Sequence, residues 1–116
     1  MFTRGKIMNY NNAQKRNAFK QIKGTDIILD FSNCKYLERI HSELKEIFGL
    51  PEYYGENWDA LWDCLDDRFD DDKNYTIKIY GYGHLEKELQ DHCSAMIEVF
   101  NDVHKDHPNV EFLMIS

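Results

Sequence analysis

The sequence predicts an α/β fold, a small three-stranded parallel sheet packed by helices in the order β-α-α-β-α-β. Three short apolar runs, at 27–31, 75–80 and 110–115, have the length and residue types of strands. The intervals between them carry apolar residues at helical spacing. Strands joined through helices need crossover connections, and such connections join parallel strands.

The first strand and the first helix follow one another directly. The run 27–31 is short, apolar and β-branched at its start, which is typical of a buried strand. Either Ser32 or Asn33 can cap the helix predicted over 34–48, and Gly49 predicts its end. The apolar positions that recur at helical spacing are Leu37, Ile40, Leu44, Ile47 and Phe48.

A second helix is predicted after Asn57, whose side chain is a suitable N-cap. Its apolar residues fall on one arc when each residue is turned by about 100°. They are Trp58, Leu61, Trp62, Leu65 and Phe69. The opposite arc is acidic and faces away from the tryptophans. Its single stripe consists of Asp59, Asp63, Asp66 and Asp70.

The second half of the chain predicts one more helix between two strands. The segment 75–80 alternates like a strand with one wetter face, and Gly81 begins the break that ends it. The third helix ends before Pro108 and is marked by Leu85, Leu89, Cys93, Met96, Phe100 and Val103. The closing run 110–115 is nearly continuous in apolar residues, which predicts a strand covered on both faces.

Length and composition restrict the class of protein. With 116 residues, 42 % hydrophobic and 30 % charged, the chain reads as one globular domain and not as a disordered one. No apolar run approaches the roughly 18 residues that span a bilayer, and no signal-peptide segment opens the chain, so we expect a cytoplasmic protein without a membrane partner. Cys34, Cys64 and Cys93 lack CxxC spacing, which favours reduced thiols.

The net charge of −7 is unevenly distributed. Residues 1–24 hold six basic residues and no acid, and we interpret them as a poorly defined basic N-terminal arm. Residues 25–116, the predicted domain, then hold eight basic and 21 acidic residues, a net charge of −13. Such a domain repels nucleic acid and attracts basic partners.

The acidic stripe of the second helix is itself a functional signal. Like charges three or four residues apart destabilise a helix by roughly 0.2–0.5 kcal/mol for each pair, so the stripe costs on the order of 1 kcal/mol. An ordinary solvated face needs no such arrangement. Aromatic residues beside the stripe, such as Tyr53 and Trp58, are typical of interface centres, where surrounding acids select a basic partner.

The segment Pro51 to Leu65, which reads PEYYGENWDALWDCL, resembles the signature of the barstar family of ribonuclease inhibitors. The resemblance extends from Ile27 to the C-terminus, so residues 25–116 are interpreted as a barstar-like domain. It implies an inhibitor and not an enzyme, with no cofactor and no metal. The implied partner is a basic, secreted endoribonuclease of the barnase type, bound 1:1 inside the cell that makes it.

The resemblance also implies a role for each site residue. An RNase active site holds phosphates with Arg, Lys and His, so a carboxylate placed there mimics a phosphate but offers no bond to cleave. Asp63 is implied as the central plug of that active site, with Asp59 as a second carboxylate beside it. The other implied contacts are Tyr53, Gly55, Asn57, Trp62, Asp66 at the edge, and Asp102, which is one methylene shorter than the family's usual Glu.

The sequence departs from the family pattern immediately after Leu65. Asp66 and Asp67 replace a small polar residue and a glycine, and Arg68 replaces an aromatic residue. The far edge of the interface therefore differs from that of the family. An alternative is an immunity or interaction module of the same fold that neutralises a different toxin, one that is not an RNase.

Three other kinds of site are less well supported by the residues. Asp59 and Asp63 could form the acid/base pair of a hydrolase, but a solvent-facing stripe implies no pocket. The acids at 66–72 lack the glycine turn and closing glutamate of an EF-hand. Zinc-capable atoms occur at His92, Cys93, His104 and His107, but Cys93 lies on an apolar stripe, and we expect no metal site.

Overall fold

The computed structural model describes residues 25–115, and the predicted arm at 1–24 lies outside them. Three strands, β1 (Asp26–Asp30), β2 (Tyr75–Tyr80) and β3 (Val110–Ile115), form one sheet in the order β1-β2-β3. Both strand pairs are parallel. The predicted α/β class and its small parallel sheet are confirmed.

The first two helices flank the segment that the sequence analysis singled out. Helix α1 spans Leu37–Phe48 and α2 spans Trp58–Asp66, so the residues between them, 49–57, form a connection called here the site loop. Helix α1 begins after Tyr36 and has no side-chain cap, so the predicted caps Ser32 and Asn33 are wrong. Its predicted end is confirmed, because Gly49 has a φ of 61° that favours glycine.

The predicted third helix is two helices. Helix α3 spans Lys87–His92 and α4 spans Ser94–Asp106, with a short 3-10 turn at Tyr82–His84 before them. The break falls at Cys93, whose ψ of 0° is not that of a regular helix. Both helices turn their apolar side toward the same core, so the apolar spacing continues across Cys93. The sequence therefore gives no sign of the break.

The helices cover one face of the sheet, which corrects the prediction that β3 is covered on both. Parallel crossovers are right-handed in about 98 % of cases, and two such crossovers that advance in the same direction place their helices on the same side. On the other face, Ile28, Lys78 and Leu113 lie in one row across the three strands. Ile28 is 54 % exposed and Leu113 is 37 % exposed.

The core lies between the sheet and the helices. Its largest fully buried side chains include Phe31, Phe48 and Phe100, and the ring of Phe100 stacks on Phe112 at 4.5 Å. Burial of a side chain of this size stabilises the fold by roughly 1.5–3 kcal/mol. The three cysteines are free, as the sequence predicts, and all three are buried. Burial raises the pKa of the Cys93 thiol to about 11.

Candidate functional site

The first half of the site loop is tied down by hydrogen bonds, and the backbone near its end is strained. Tyr54 donates its backbone N–H to the carbonyl of Pro51 at 3.0 Å, which closes a turn. Lys45 of α1 donates to the carboxylate of Glu52 at 3.0 Å. Glu56 has a φ of 51°, a left-handed conformation that costs a residue with a side chain roughly 1–2 kcal/mol. The loop therefore keeps its shape only while its surroundings hold it.

Asn57 joins the loop to α2, and its predicted N-cap role is confirmed. Its Oδ1 accepts a hydrogen bond from the backbone N–H of Ala60 at 2.8 Å. Its Nδ2 donates to the carbonyl of Gly55 at 3.3 Å. A Cβ at Gly55 would lie 3.3 Å from that same Nδ2, which is a tight contact. Asn57 and Gly55 are exposed, but both are needed for the local backbone shape.

A buried histidine lies beneath the loop, and sequence reasoning missed it. His41 of α1 is 3 % exposed, and its Nδ1 lies 2.7 Å from the hydroxyl of Tyr54. The His41 ring also contacts Trp58 of α2, with ring centroids 4.5 Å apart. Burial lowers the pKa of His41, and the nearby carboxylate of Glu56 raises it by less. The signal in the sequence is a polar residue between Ile40 and Leu44 on the apolar side of α1.

Helix α2 turns its apolar side toward α4 and the core. Leu61 and Leu65 are fully buried, and Trp62 is 7 % exposed. Trp62, expected as a partner contact, thus lies largely beneath the surface. On the outer side Asp59 is exposed and Asp63 is half-buried. Tyr53, in the loop beside them, is 53 % exposed.

The predicted stripe of four acids is wrong at its last member. Helix α2 ends at Asp66, and Asp67 follows as its C-cap. Asp70 therefore lies in the turn after the helix, where its carboxylate is 3.3 Å from Lys73. An acid near a helix C-terminus opposes the helix dipole, so ending the helix early relieves part of the cost that a longer acidic helix would carry.

Asp66, expected at the edge of the partner surface, makes a contact within the protein. Its Oδ1 lies 3.0 Å from Nε2 of His107, at the end of α4. The two side chains are only 11 % and 18 % exposed. Arg68 is likewise used internally, since its Nε donates to the carbonyl of Phe48, the last residue of α1, at 2.7 Å. Asp66 and Arg68, two of the three residues that depart from the family pattern, thus attach the end of α2 to its neighbours.

The remaining site residue comes from another helix. Asp102 lies on α4, is half-buried, and belongs to the helix that packs against α2. Most of the predicted residues lie in the site loop and on the outer side of α2, a region called here the loop–helix face: Tyr53, Gly55, Asn57, Asp59 and Asp63. Trp62 lies beneath that face, and Asp66 is engaged at its end.

Neither kind of metal site considered in the sequence analysis has a counterpart in residues 25–115. Within that range, no three His, Cys, Asp or Glu side chains are grouped so that they could hold a metal ion. None of the helices described there has the length and apolar character needed to cross a membrane.

Comparison with known proteins identifies the family. The model of the family described as Barstar (barnase inhibitor) matches residues 25–115, a range that holds every described strand and helix. A protein of Bacillus subtilis (strain 168), named putative ribonuclease inhibitor YrdF, is 49 % identical over 39 residues. That stretch covers 34 % of this chain and 43 % of that protein. The family is one of inhibitors and not of enzymes, and this chain belongs to it.

Proposed function

We propose that this protein inhibits a basic endoribonuclease of the barnase type, bound 1:1 inside the cell, by placing the loop–helix face in the enzyme's active site. The observation that carries the proposal is the composition of that face. It combines the exposed ring of Tyr53 with the carboxylates of Asp59 and Asp63 on a family-matched loop and helix. A surface with an aromatic side chain at its centre and carboxylates around it is complementary to a basic partner.

The chemistry of inhibition follows from what such an enzyme must hold. Arg, Lys and His side chains that bind the phosphates of RNA bind a carboxylate with the same charge-assisted hydrogen bonds. A carboxylate carries no scissile phosphodiester, so the enzyme is occupied without turning over. Asp63 is assigned the central position by its place in the segment that resembles the family signature, and it lies mid-helix with Asp59 one turn before it.

The departure at 66–68 supports an RNase target over a different toxin. Had these residues pointed outward, they would have changed the face presented to the partner. Asp66 and Arg68 instead bond to His107 and to the carbonyl of Phe48 within the protein. The loop–helix face itself keeps the residues on which the resemblance depends.

Titration of a barnase-type RNase with the purified chain tests the proposal. We expect RNA cleavage to stop near an equimolar ratio. Removing one member of a buried charge pair costs about 3–5 kcal/mol, so Asp63→Ala is expected to weaken binding by about 150- to 5,000-fold. Asp71→Ala is the matched control, because that side chain is 93 % exposed and lies beyond the end of α2. Equal inhibition by the two variants, or no inhibition by the unaltered chain, would contradict the proposal.

A further inference from the structure

We propose that the basic N-terminal arm, residues 1–24, packs against the outer side of β1, where it covers Ile28 and places its cations beside Asp26 and Asp30. These three residues alternate with the buried residues of β1, so they lie on the sheet face turned away from the helices. The surface is separate from the loop–helix face, and the inference does not depend on the proposed function. Its basis is the exposure and charge of this surface and the point at which the arm joins it.

The outer side of β1 exposes an aliphatic side chain that the described residues leave uncovered. Ile28 is 54 % exposed, more than Leu113 at 37 % or Met114 at 47 %. Parallel sheets occur almost only with both faces covered. The helices of residues 25–115 lie on one face, so a cover for Ile28 comes from outside that range, either from the arm or from another molecule.

Carboxylates flank Ile28 along the strand. Asp26 and Asp30 lie two positions before and after it, and both are exposed. The carboxylate of Asp30 accepts a hydrogen bond from the backbone N–H of Ser32 at 2.9 Å, and hydrogen bonding from Ser32 lowers the pKa of Asp30. Lys78, level with Ile28 on β2, is the one cation that the three strands carry. The outer side of β1 therefore suits a segment that is both basic and apolar.

The arm has this composition. Its six basic residues are not balanced by a single acid. Close to its junction with the domain, Phe19 and Ile22 lie beside Lys20 and Lys23. The apolar side chains can bury Ile28, and the lysines can neutralise the carboxylates on either side of it. The arm thus complements this surface in both polarity and charge.

The arm is joined directly to the strand that it is proposed to cover. Thr25, the first described residue, is fixed to the sheet, because its carbonyl accepts the backbone N–H of Thr76 at 2.9 Å. Gly24 precedes it, and glycine readily adopts the conformations in which a chain reverses direction. An extended chain advances roughly 3.3 Å per residue, so residues 19–24 alone can span about 20 Å, which exceeds the length of a five-residue strand.

Other occupants fit this surface less well. A second copy that docked through the same surface would bring its own Asp26 and Asp30 against identical carboxylates, and like charges across an interface oppose binding. A separate molecule of any kind also lacks the high effective concentration of a segment of the same chain. The loop–helix face attracts cations too, but it offers Phe19 and Ile22 no exposed aliphatic side chain.

The test measures how fast single introduced cysteines in the full chain react with a neutral maleimide. Ile28→Cys places the probe under the proposed position of the arm. Leu113→Cys is the matched control, because it lies on the same sheet face but on β3. The native thiols are buried and react slowly. Each probe is measured with the native arm and with the paired changes Lys20→Glu and Lys23→Glu, which replace attraction to the β1 carboxylates with repulsion.

We expect the charge-reversed arm to speed the reaction of Ile28→Cys about tenfold, the equivalent of about 1.4 kcal/mol lost by the covered form. Leu113→Cys is expected to react at the same rate with either arm. Equal rates of Ile28→Cys with the two arms would overturn the proposal. An equal acceleration at both probes would also overturn it, since it would indicate a general loss of structure.

A second measurement uses the unaltered chain. A carbodiimide joins a lysine amine to a carboxylate in direct contact, and mass spectrometry of the digested monomer identifies the pair. We expect Lys15 or Lys20 to be joined to Asp30, a contact that their distance in sequence does not enforce. Cross-links from these lysines to Asp59 or Asp63 in place of Asp30, or no cross-link to Asp30, would refute the proposal whether or not the chain inhibits an RNase.

Discussion

Replacing Asn57 with alanine tests whether this residue acts by shaping the site or by touching the partner. The variant loses the acceptor that caps α2 at 2.8 Å and the donor to Gly55 at 3.3 Å. Loss of such a cap costs about 1 kcal/mol. An exposed neutral hydrogen bond adds about 0.5 kcal/mol. Together they lower the free energy of unfolding by about 1.5 kcal/mol, which for a domain of this size lowers Tm by about 6–9 °C.

Two variants at the same position make the comparison informative. Asn57→Ser keeps a cap acceptor but loses the amide donor, so it is expected to lose about 0.5 kcal/mol. Thermal unfolding followed by circular dichroism gives the stability, and titration with the RNase gives the affinity. If Asn57 acts mainly by capping α2, the serine variant retains most of both. If the serine variant loses as much affinity as the alanine variant while remaining stable, the residue acts by direct contact and our interpretation is refuted.

Three further outcomes are expected. Gly81→Ala should lower Tm, because Gly81 has a φ of 81° and the added Cβ would lie 2.6 Å from the backbone nitrogen of Ser32. Gly83→Ala is the control, since the Cβ added there would have no neighbour within 4 Å, and equal Tm values for the two variants would contradict this prediction. His107→Ala should lower the urea midpoint by the equivalent of about 1.5–3 kcal/mol, since it removes a hydrogen bond to the half-buried carboxylate of Asp66. An unchanged midpoint would show that the pair contributes nothing. In stopped-flow measurements, the association rate with the RNase should fall steeply as the salt concentration rises, because attraction between charges is screened beyond about 10 Å at 0.1 M salt. A salt-independent rate would show that electrostatic steering does not contribute to association.

The sequence predicts best what depends on neighbouring residues. Gly49 ends α1 through its own backbone conformation, and Asn57 begins α2 through an acceptor three residues from its donor. Local interactions of this kind can be predicted from a few consecutive residues. The resemblance of Pro51 to Leu65 then gave the family, which the match over 25–115 confirmed.

What the sequence did not predict depends on distant residues. Asp66 is bonded to His107, which lies 41 positions away, and no local pattern reports such a pair. Which sheet face the helices of residues 25–115 cover depends on strand order, which the apolar run at 110–115 does not encode. His41 was missed for a related reason, since its role depends on Tyr54 and Trp58 folding back over α1.

The burial of Cys34, Cys64 and Cys93 makes this chain a convenient host for site-specific labelling. A thiol reacts as its thiolate, and burial raises the pKa of Cys34 and brings that of Cys93 to about 11, so few thiolates are present at neutral pH. A single cysteine introduced at the exposed Leu113 would therefore react with a maleimide dye well before the native three. Leu113 lies on the sheet face away from the helices, so a fluorophore there would report on the encounter with a partner without occupying the loop–helix face.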